Sequence, residues 1–585
     1  MSDDSAARRP ERKESKVEIA KKNSHRLRGD IADTLAAGGG QFSADDAQIL
    51  KHHGVYQQED RDTRVDRKKA GQDPDRFFMV RVALPGGALT ADQYLALDEI
   101  ADEHANCSLR VTTRQGIQFH GVYMPHLKPA IAALNDKLMT TFAACGDVER
   151  NVMATPAPLA DEAHRLVQQL AADIARELKP KTRAYHEIWL DGEKIASSDK
   201  GDKETFYGEQ YLPRKFKTGV TLEDDNSIDI YSYDCGLIAI VEDEHVVGLN
   251  IVAGGGMGMT HMKPDTFAAL AQPIGFVAPE NAVAAVRTLT AIFRDHGNRA
   301  DRRHARLKYL IAEWGIERFR ELFREQASFP IGPPRPLSRP QYRDYLGRHH
   351  QNNGRWFYGI PIDCGRIVDR DDRRLKTALR AVVETYRPGL RLTANQNVLL
   401  TDLPERQLDE IESILRKHGV TPGPELSLTR RYAMACPALP TCGLALTEAE
   451  RAFPKVVSAF EAALEELGLD DEPITLRMTG CPNACARPYT ADIGLVGRKP
   501  GERYTIYIGG GLAGDRLADV FAEDIHIDDL VETMTPLLRG FARHRCEGES
   551  FSDFYQRILG RTTPRTKLTG QEGETRAHIP LEVLQ

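Results

Sequence analysis

From about Phe77 onward the chain alternates short apolar runs with amphipathic stretches, the pattern of a protein that mixes strands and helices. Met79 to Leu84 alternates as a strand and stops at the turn signal Pro85-Gly86-Gly87. Ala91 to Glu103 puts Tyr94, Leu95, Leu97 and Ile100 on one face, which predicts a helix. Leu109 to Val122 reads as strand. Upstream, residues 1–78 are rich in charge and poor in apolar positions. Arg26 to Ala37 fits a helix, but Tyr56-Gln57-Gln58-Glu59-Asp60-Arg61-Asp62 is too polar for a core. This part is expected to be an extended arm or, from composition alone, a disordered tail.

One segment occurs twice. Leu109-Arg110-Val111-Thr112-Thr113-Arg114-Gln115-Gly116-Ile117 matches Leu390-Arg391-Leu392-Thr393-Ala394-Asn395-Gln396-Asn397-Val398, and each copy sits between helical stretches. A fainter echo pairs Gly254-Gly255-Gly256 with Gly509-Gly510-Gly511, each after a strand. Two copies of a two-module unit explain both echoes and predict pseudo-two-fold symmetry with a site between the halves.

The 585 residues suffice for three or four domains of about 100–200 residues each. A net charge of −7 argues against general nucleic-acid binding, which depends on neutralising phosphates. No apolar run approaches the ~18–20 residues of a membrane span, and no secretory leader is evident. Nine cysteines, an odd number in a large chain, point to a reducing compartment, with the cytoplasm as the default.

Four cysteines form a pattern: Cys436 and Cys442 as C-x5-C, Cys481 and Cys485 as C-x3-C. Gly443, Gly480, Pro437, Pro440 and Pro482 flank them, as expected of loops bending around a cofactor. Four thiolates complete a [4Fe–4S] cluster. C-x5-C is loose for structural zinc, but spacing alone leaves zinc and plain buried cysteine open.

Met434-Ala435-Cys436 through Pro440-Thr441-Cys442, with Thr479-Gly480-Cys481-Pro482-Asn483-Ala484-Cys485, resembles the signature of siroheme-dependent sulfite and nitrite reductases. The resemblance runs from about His25 to Tyr555. It implies two cofactors, siroheme and a [4Fe–4S] cluster on Cys436, Cys442, Cys481 and Cys485, with Cys485 also bridging to the siroheme iron. It implies Arg81, Arg150, Lys215 and Lys217 as the catalytic cations. If Pro213 to Lys217 is extended, the two lysines share a face opposite Phe216. Siroheme carries eight carboxylates and demands many donors; Arg110, Arg114, Gln118 and Asn397 are the expected macrocycle contacts. Arg299, Arg302, Arg303, Arg306 and Lys308 form a further basic stretch, which a plain helix face explains equally well.

Lys217 favours sulfite, since nitrite-reducing relatives tend to carry Asn there. No Gly-x-Gly-x-x-Gly strand–helix fingerprint for a dinucleotide and no flavin segment is evident, so electrons are expected to come from elsewhere. The stretches from His25 and from His53 resemble the bacterial hemoprotein component, which implies a separate NADPH-oxidising flavoprotein partner and a role in cysteine biosynthesis; ferredoxin is the alternative donor. The competing readings are a ferredoxin-dependent sulfite or nitrite reductase and, outside enzymes, a zinc-stapled binding protein, which would be colourless. The expected fold is α+β, a pseudo-two-fold repeat of ferredoxin-like halves flanked by two α/β lobes. The expected parts are an arm (1–78), half one (79–145), a first siroheme and substrate lobe (146–345), half two (346–420), a cluster lobe (421–570) and a tail (571–585).

Overall fold

The computed structural model describes residues 13–181, 187–190, 193–197, 204–561 and 564–569. The repeated segment forms a hairpin in both copies. Leu109–Val111 pairs with Ile117–Val122, and Gly389–Leu392 with Val398–Leu403. Each hairpin sits in a five-stranded sheet. The first runs Val55–Glu59, Arg76–Val82, Ile117–Val122, Leu109–Val111, Arg366–Ile367. The second runs Gly347–His350, Trp356–Ile360, Val398–Leu403, Gly389–Leu392, Ala88–Leu89. Each half thus lends a two-residue strand, Ala88–Leu89 or Arg366–Ile367, to the edge of the other half's sheet.

The side chains repeat this exchange. Gln115 donates from Nε2 to Leu392 O (3.0 Å), and Gln396 donates from Nε2 to Val111 O (3.3 Å). Both glutamines adopt left-handed backbone, at φ 51° and 67°, which turns them out of their hairpins toward the partner half. Helix Ala91–His104 starts with a capping box between Thr90 and Gln93, a feature that stabilises a helix by about 1 kcal/mol. It packs on its counterpart Leu375–Tyr386, with Lys376 and Arg380 paired to Asp98 and Asp102. The two halves share one apolar core, from Phe78 and Tyr94 to Leu379 and Ile411.

The flanking lobes are also copies. One sheet runs Met153–Ala154, Thr218–Leu222, Cys235–Glu242, His245–Ala253, Gln272–Val277. The other runs Met434–Ala435, Leu476–Thr479, Ile493–Lys499, Arg503–Ile508, Asp519–His526. In both, the first three strands are parallel and the rest antiparallel. Equivalent strands align Met153-Ala154-Thr155-Pro156 with Met434-Ala435-Cys436-Pro437, and Asp234-Cys235-Gly236-Leu237 with Asp492-Ile493-Gly494-Leu495.

The N-terminal part differs from the expected arm or tail between residues 13 and 78. Lys16–Asn23 is a helix whose Lys21, fully buried, reaches Glu18, Asp147 and Leu212 O. Val55–Glu59 is an edge strand rather than a loop. Only Val55 is buried in it, so its polar pattern hides the pairing. At the other end, Lys567–Thr569 pairs with Phe267–Ala269. The tail expected at 571–585 lies outside the described residues. Among the described residues, no helix is long and apolar enough to cross a membrane.

Candidate active site and cluster centre

The cation pocket is built by two extended segments lying side by side. Phe216 N donates to Val148 O, and Arg150 N to Phe216 O, both at 3.1 Å. Phe216 turns into the lobe core, so Lys215 and Lys217 face the other way, on the side that also carries Arg150. The segment is extended but not part of a sheet strand beyond a single bridge. Arg150 is held by Nε and Nη2 bonds to Gly146 O, each 3.1 Å.

Arg81 enters from the strand Arg76–Val82. It donates to Cys145 Sγ at 2.9 Å and lies over the Tyr56 ring. Gln118 is opposite it in register, and in the amide orientation that satisfies both groups its oxygen accepts from Arg81 Nε (3.2 Å) and Nη2 (2.6 Å). Arg114 stacks on Tyr233 and donates to Asn151 O, next to Arg150. Arg81, Arg114, Arg150, Lys215 and Lys217 are all half-buried, while Gln118 is buried.

Burial pushes the Lys215 ammonium well below its usual range, and Lys217, Arg150, Arg306 and Arg214 push the same way. Lys217 is pushed down by burial and then by Arg114, Arg306 and Arg150. Such a concentration of like charge attracts anions to the pocket. Glu149 sits beside it, bonded to Thr218 Oγ1 at 3.0 Å, and burial raises its carboxyl to about 8.

The floor of the pocket comes from residues without a sequence signal. Asp147 is buried and accepts from Lys21 and from both Nη atoms of Arg302. Burial opposes its charge, but Lys21, Arg302 and Arg214 outweigh it and hold the carboxyl well below the usual range. His52 Nε2 accepts from Asp147 N at 3.1 Å, and burial lowers that imidazole to about 3, so it stays neutral. The N-terminal segment is thus part of the site's wall.

The four motif cysteines gather on the cluster lobe. Cys436 follows strand Met434–Ala435, and Cys481 follows Leu476–Thr479, the parallel neighbour. Gly480 N points at Cys436 Sγ (3.4 Å), and Asn483 Nδ2 at Cys481 Sγ (3.5 Å). Burial, then Cys485, raises Cys436, Cys442 and Cys481, the last to about 12. These thiols therefore sit close enough to repel as thiolates, the penalty that bound iron removes. Among the described residues no three His, Cys, Asp or Glu side chains converge on one ion. A cubane binds each ligand at a different corner, so its thiolates stand further apart than those around a single ion. Cys436 and Cys481 are buried and Cys442 half-buried, whereas Cys485 is exposed. Thr113 Oγ1 donates to Cys485 O at 3.0 Å, which holds the Cys485 backbone against the first repeat hairpin, one residue before Arg114. The donor set fits both groups: four thiolates for a [4Fe–4S] cluster, and uncompensated cations beside an exposed thiol for a polycarboxylate macrocycle.

Two expected macrocycle contacts are spent elsewhere. Arg110 lies between Leu109 and Val111, which point into the core, so its side chain leaves by the opposite face. It binds Glu450 at 3.0 Å and Ala435 O at 2.9 Å and is 2% exposed, which makes it a tie between half one and the cluster lobe. Asn397 accepts from Ile362 N at 2.9 Å and faces a small cavity of the second half with Asn395, Arg431 and Tyr432. That cavity is the pseudo-symmetric counterpart of the cation pocket. There Ser227 stands for Cys485, Thr155 for Cys436 and Thr475 for Lys217, and Arg431 is paired with Asp344. The basic stretch near 300 is also consumed by the fold: Arg299 pairs with Glu18, Arg302 with Asp147, Arg306 with Asp234, and Lys308 donates to Gly256 O and Gly258 O.

Comparison with known proteins agrees with this construction. The family model described as the nitrite and sulphite reductase 4Fe-4S domain matches residues 172–331 and 429–558. The one described as the nitrite/sulfite reductase ferredoxin-like half domain matches 69–137 and 348–418. The sulfite reductase (NADPH) hemoprotein beta-component of Staphylococcus haemolyticus is 44% identical over 92% of this chain and 94% of its own length. That of Myxococcus xanthus is 43% identical over 93% and 96%. The sulfite reductase (ferredoxin) of Synechococcus elongatus is 44% identical over 93% and 89%. The solved structure of Mycobacterium tuberculosis NirA superposes with a TM-score of 0.76 at 27% identity, covering 92% of this chain and 95% of that one. With its doubled ferredoxin-like halves and its four-cysteine lobe, this chain belongs to the siroheme and [4Fe–4S] family of sulfite and nitrite reductases.

Proposed function

We propose that this chain is the hemoprotein component of an assimilatory sulfite reductase, producing hydrogen sulfide for cysteine biosynthesis in the cytoplasm. The observation that carries the choice of substrate is the pair Lys215 and Lys217 on one face with Arg150. Sulfite carries more negative charge than nitrite near neutral pH, and a second lysine supplies a further positive charge.

Sulfite takes up six electrons and eight protons to give hydrogen sulfide and three waters. When bound, siroheme coupled to the cluster supplies the electrons to the sulfur. Cys436, Cys442, Cys481 and Cys485 would hold the cluster, and Cys485 would also ligate the siroheme iron. Arg81 and Arg150 present guanidinium forks to the oxygens of the anion. Lys215 and Lys217 are ammoniums whose proton affinity is depressed by burial and like charge, so they release protons to departing oxygens more readily than ordinary lysines. Arg114, held by Tyr233 and Asn151 O, would bind the macrocycle, and Gln118 fixes Arg81.

The electron donor is an NADPH-oxidising flavoprotein subunit, since the one Gly-x-Gly-x-x-Gly match, Gly509 to Gly514, leads into strand Asp519–His526 rather than a dinucleotide-binding helix, and the chain resembles proteins named as beta-components. The 44% identity to a ferredoxin-linked enzyme keeps ferredoxin as the second reading. Turnover with NADPH and the cognate flavoprotein supports the first; turnover with reduced ferredoxin alone replaces it. The substrate assignment is tested by Lys217→Asn in an anaerobic reduced-dye assay. The ratio of kcat/KM for sulfite to that for nitrite is expected to fall, and an unchanged ratio removes the basis for sulfite.

A further inference from the structure

Cys485 and Arg487 lie on one short turn, and Arg487 occupies the pseudo-two-fold axis itself. The strand alignment that pairs Asp234 with Asp492 makes Arg487 the counterpart of Asp229. Both have left-handed backbone, φ 54° and ψ 57° at Asp229, φ 52° and ψ 48° at Arg487. Their turns match bond for bond: Asp229 N donates to Asn226 O and Arg487 N to Ala484 O, both at 3.0 Å. These two equivalent residues bind each other across the axis, through Arg487 Nε and Asp229 Oδ2. Left-handed backbone at a residue other than glycine persists only where the surroundings over-determine it.

The rest of the Arg487 fork reaches both repeat hairpins. Nη1 donates to Thr113 O at 3.0 Å and Nη2 to Ala394 O at 3.3 Å, and Thr113 and Ala394 are the same position in the two repeats. Thr113 returns a bond from Oγ1 to Cys485 O at 3.0 Å. Arg477, 1% exposed, completes the assembly with bonds to Asp229 Oδ2 (2.8 Å), Thr490 Oγ1 (3.0 Å) and Arg487 O (3.3 Å). The backbone that carries the exposed sulfur is therefore referenced to both halves and to the opposite lobe at once.

We propose that Arg487, with Asp229, is a positioning residue that sets where Cys485 presents its sulfur. This rests on the reading of Cys485 as the shared ligand of cluster and siroheme iron. The fork is needed because one planar group must reach two carbonyls and a carboxylate together. A lysine keeps the charge but offers a single point.

The test uses the holoenzyme with Arg487→Lys and, as a milder variant, Thr113→Val. Iron and siroheme content, the electron paramagnetic resonance and visible spectra of the oxidised heme, and kcat and KM for sulfite are measured on each. In Arg487→Lys the heme spectra are expected to shift with cofactor content retained, and kcat to fall roughly tenfold to a hundredfold, the cost of misplacing a reacting group by about 1 Å, with KM little changed. Thr113→Val should show a smaller shift in the same direction. Wild-type spectra in Arg487→Lys, or a loss of kcat only in proportion to lost siroheme, overturn the proposal; if that variant does not fold, unchanged spectra in Thr113→Val overturn it. A wild-type protein that binds no siroheme would instead sink the underlying reading.

Discussion

Glu450→Gln probes the joint between the repeat and the cluster lobe. The Glu450 carboxylate accepts from Arg110 Nε (3.0 Å), Arg366 Nε (2.7 Å) and Arg366 Nη2 (3.0 Å), while its own backbone N donates to Cys436 O (3.1 Å). The three side chains are 3%, 11% and 8% exposed for Arg110, Arg366 and Glu450, so solvent screens them little. Burial would raise the Glu450 carboxyl, but Arg366 and Arg110 overcome it and hold the group at about 2 rather than 4.5. At about 1.4 kcal/mol per pK unit, the folded state favours the ionised form by about 3 kcal/mol. That matches the few kcal/mol expected when a buried ion pair loses one partner. The depressed value fixes the sign: this stability is complete above the ordinary glutamate range and is lost as pH falls toward 2. Glutamine keeps the shape but leaves two buried guanidiniums uncompensated. The variant should unfold at lower denaturant near neutral pH, by about 3 kcal/mol where the transition permits that conversion. It should also release cluster iron to a chelator faster, because Arg110 also holds Ala435 O beside Cys436. An unfolding midpoint and an iron-release rate both equal to wild type would refute the reasoning.

Glu149→Gln should make the stability of the cofactor-free chain less sensitive to rising pH between about 4.5 and 8. Glu149 is raised to about 8, so the folded state holds its proton between about 4.5 and 8 and stability falls across that window; the variant should lack this component, and parallel pH profiles for the two proteins would contradict it. Arg61→Ala removes bonds to Cys442 O and Ala445 O, charge-assisted contacts worth about 1.5–3 kcal/mol, and should speed cluster loss in air without changing sulfite KM. Equal cluster lifetimes would show that the N-terminal segment does not secure that loop. Asp147→Asn should weaken the wall behind Arg150, lowering thermal stability and raising sulfite KM together, and an effect on neither would remove Asp147 from the site.

Local chemistry was readable in the sequence where it depends on alternation or spacing. The two lysines flanking Phe216 and the paired cysteines follow from neighbours a few residues apart, whereas Leu109 to Val122, expected as one strand, is a hairpin that turns between Val111 and Ile117. Long-range pairing left no such trace. Lys21 meeting Asp147, and Arg61 meeting the Cys442 loop, join segments far apart in the chain, and a charged residue on a polar stretch gives no sign of its partner. Val55–Glu59 escaped because an edge strand with one buried residue lacks an apolar rhythm. Arg110 and Asn397 were misjudged because motif position says which strand or turn a side chain sits on, not which face of it meets the cofactor. The exchange of edge strands between halves is a tertiary event, and two-residue strands such as Ala88–Leu89 carry no pattern of their own.

The central claim is that the Lys215 and Lys217 face serves sulfite at a siroheme joined to the four-cysteine cluster. It is tested most directly by giving the purified protein, replete with iron and siroheme, sulfite and nitrite in parallel under anaerobic conditions with a reduced dye. The account predicts sulfide formation at a higher kcat/KM than ammonia formation. Preference for nitrite, or no turnover of either by a fully loaded protein, would contradict it.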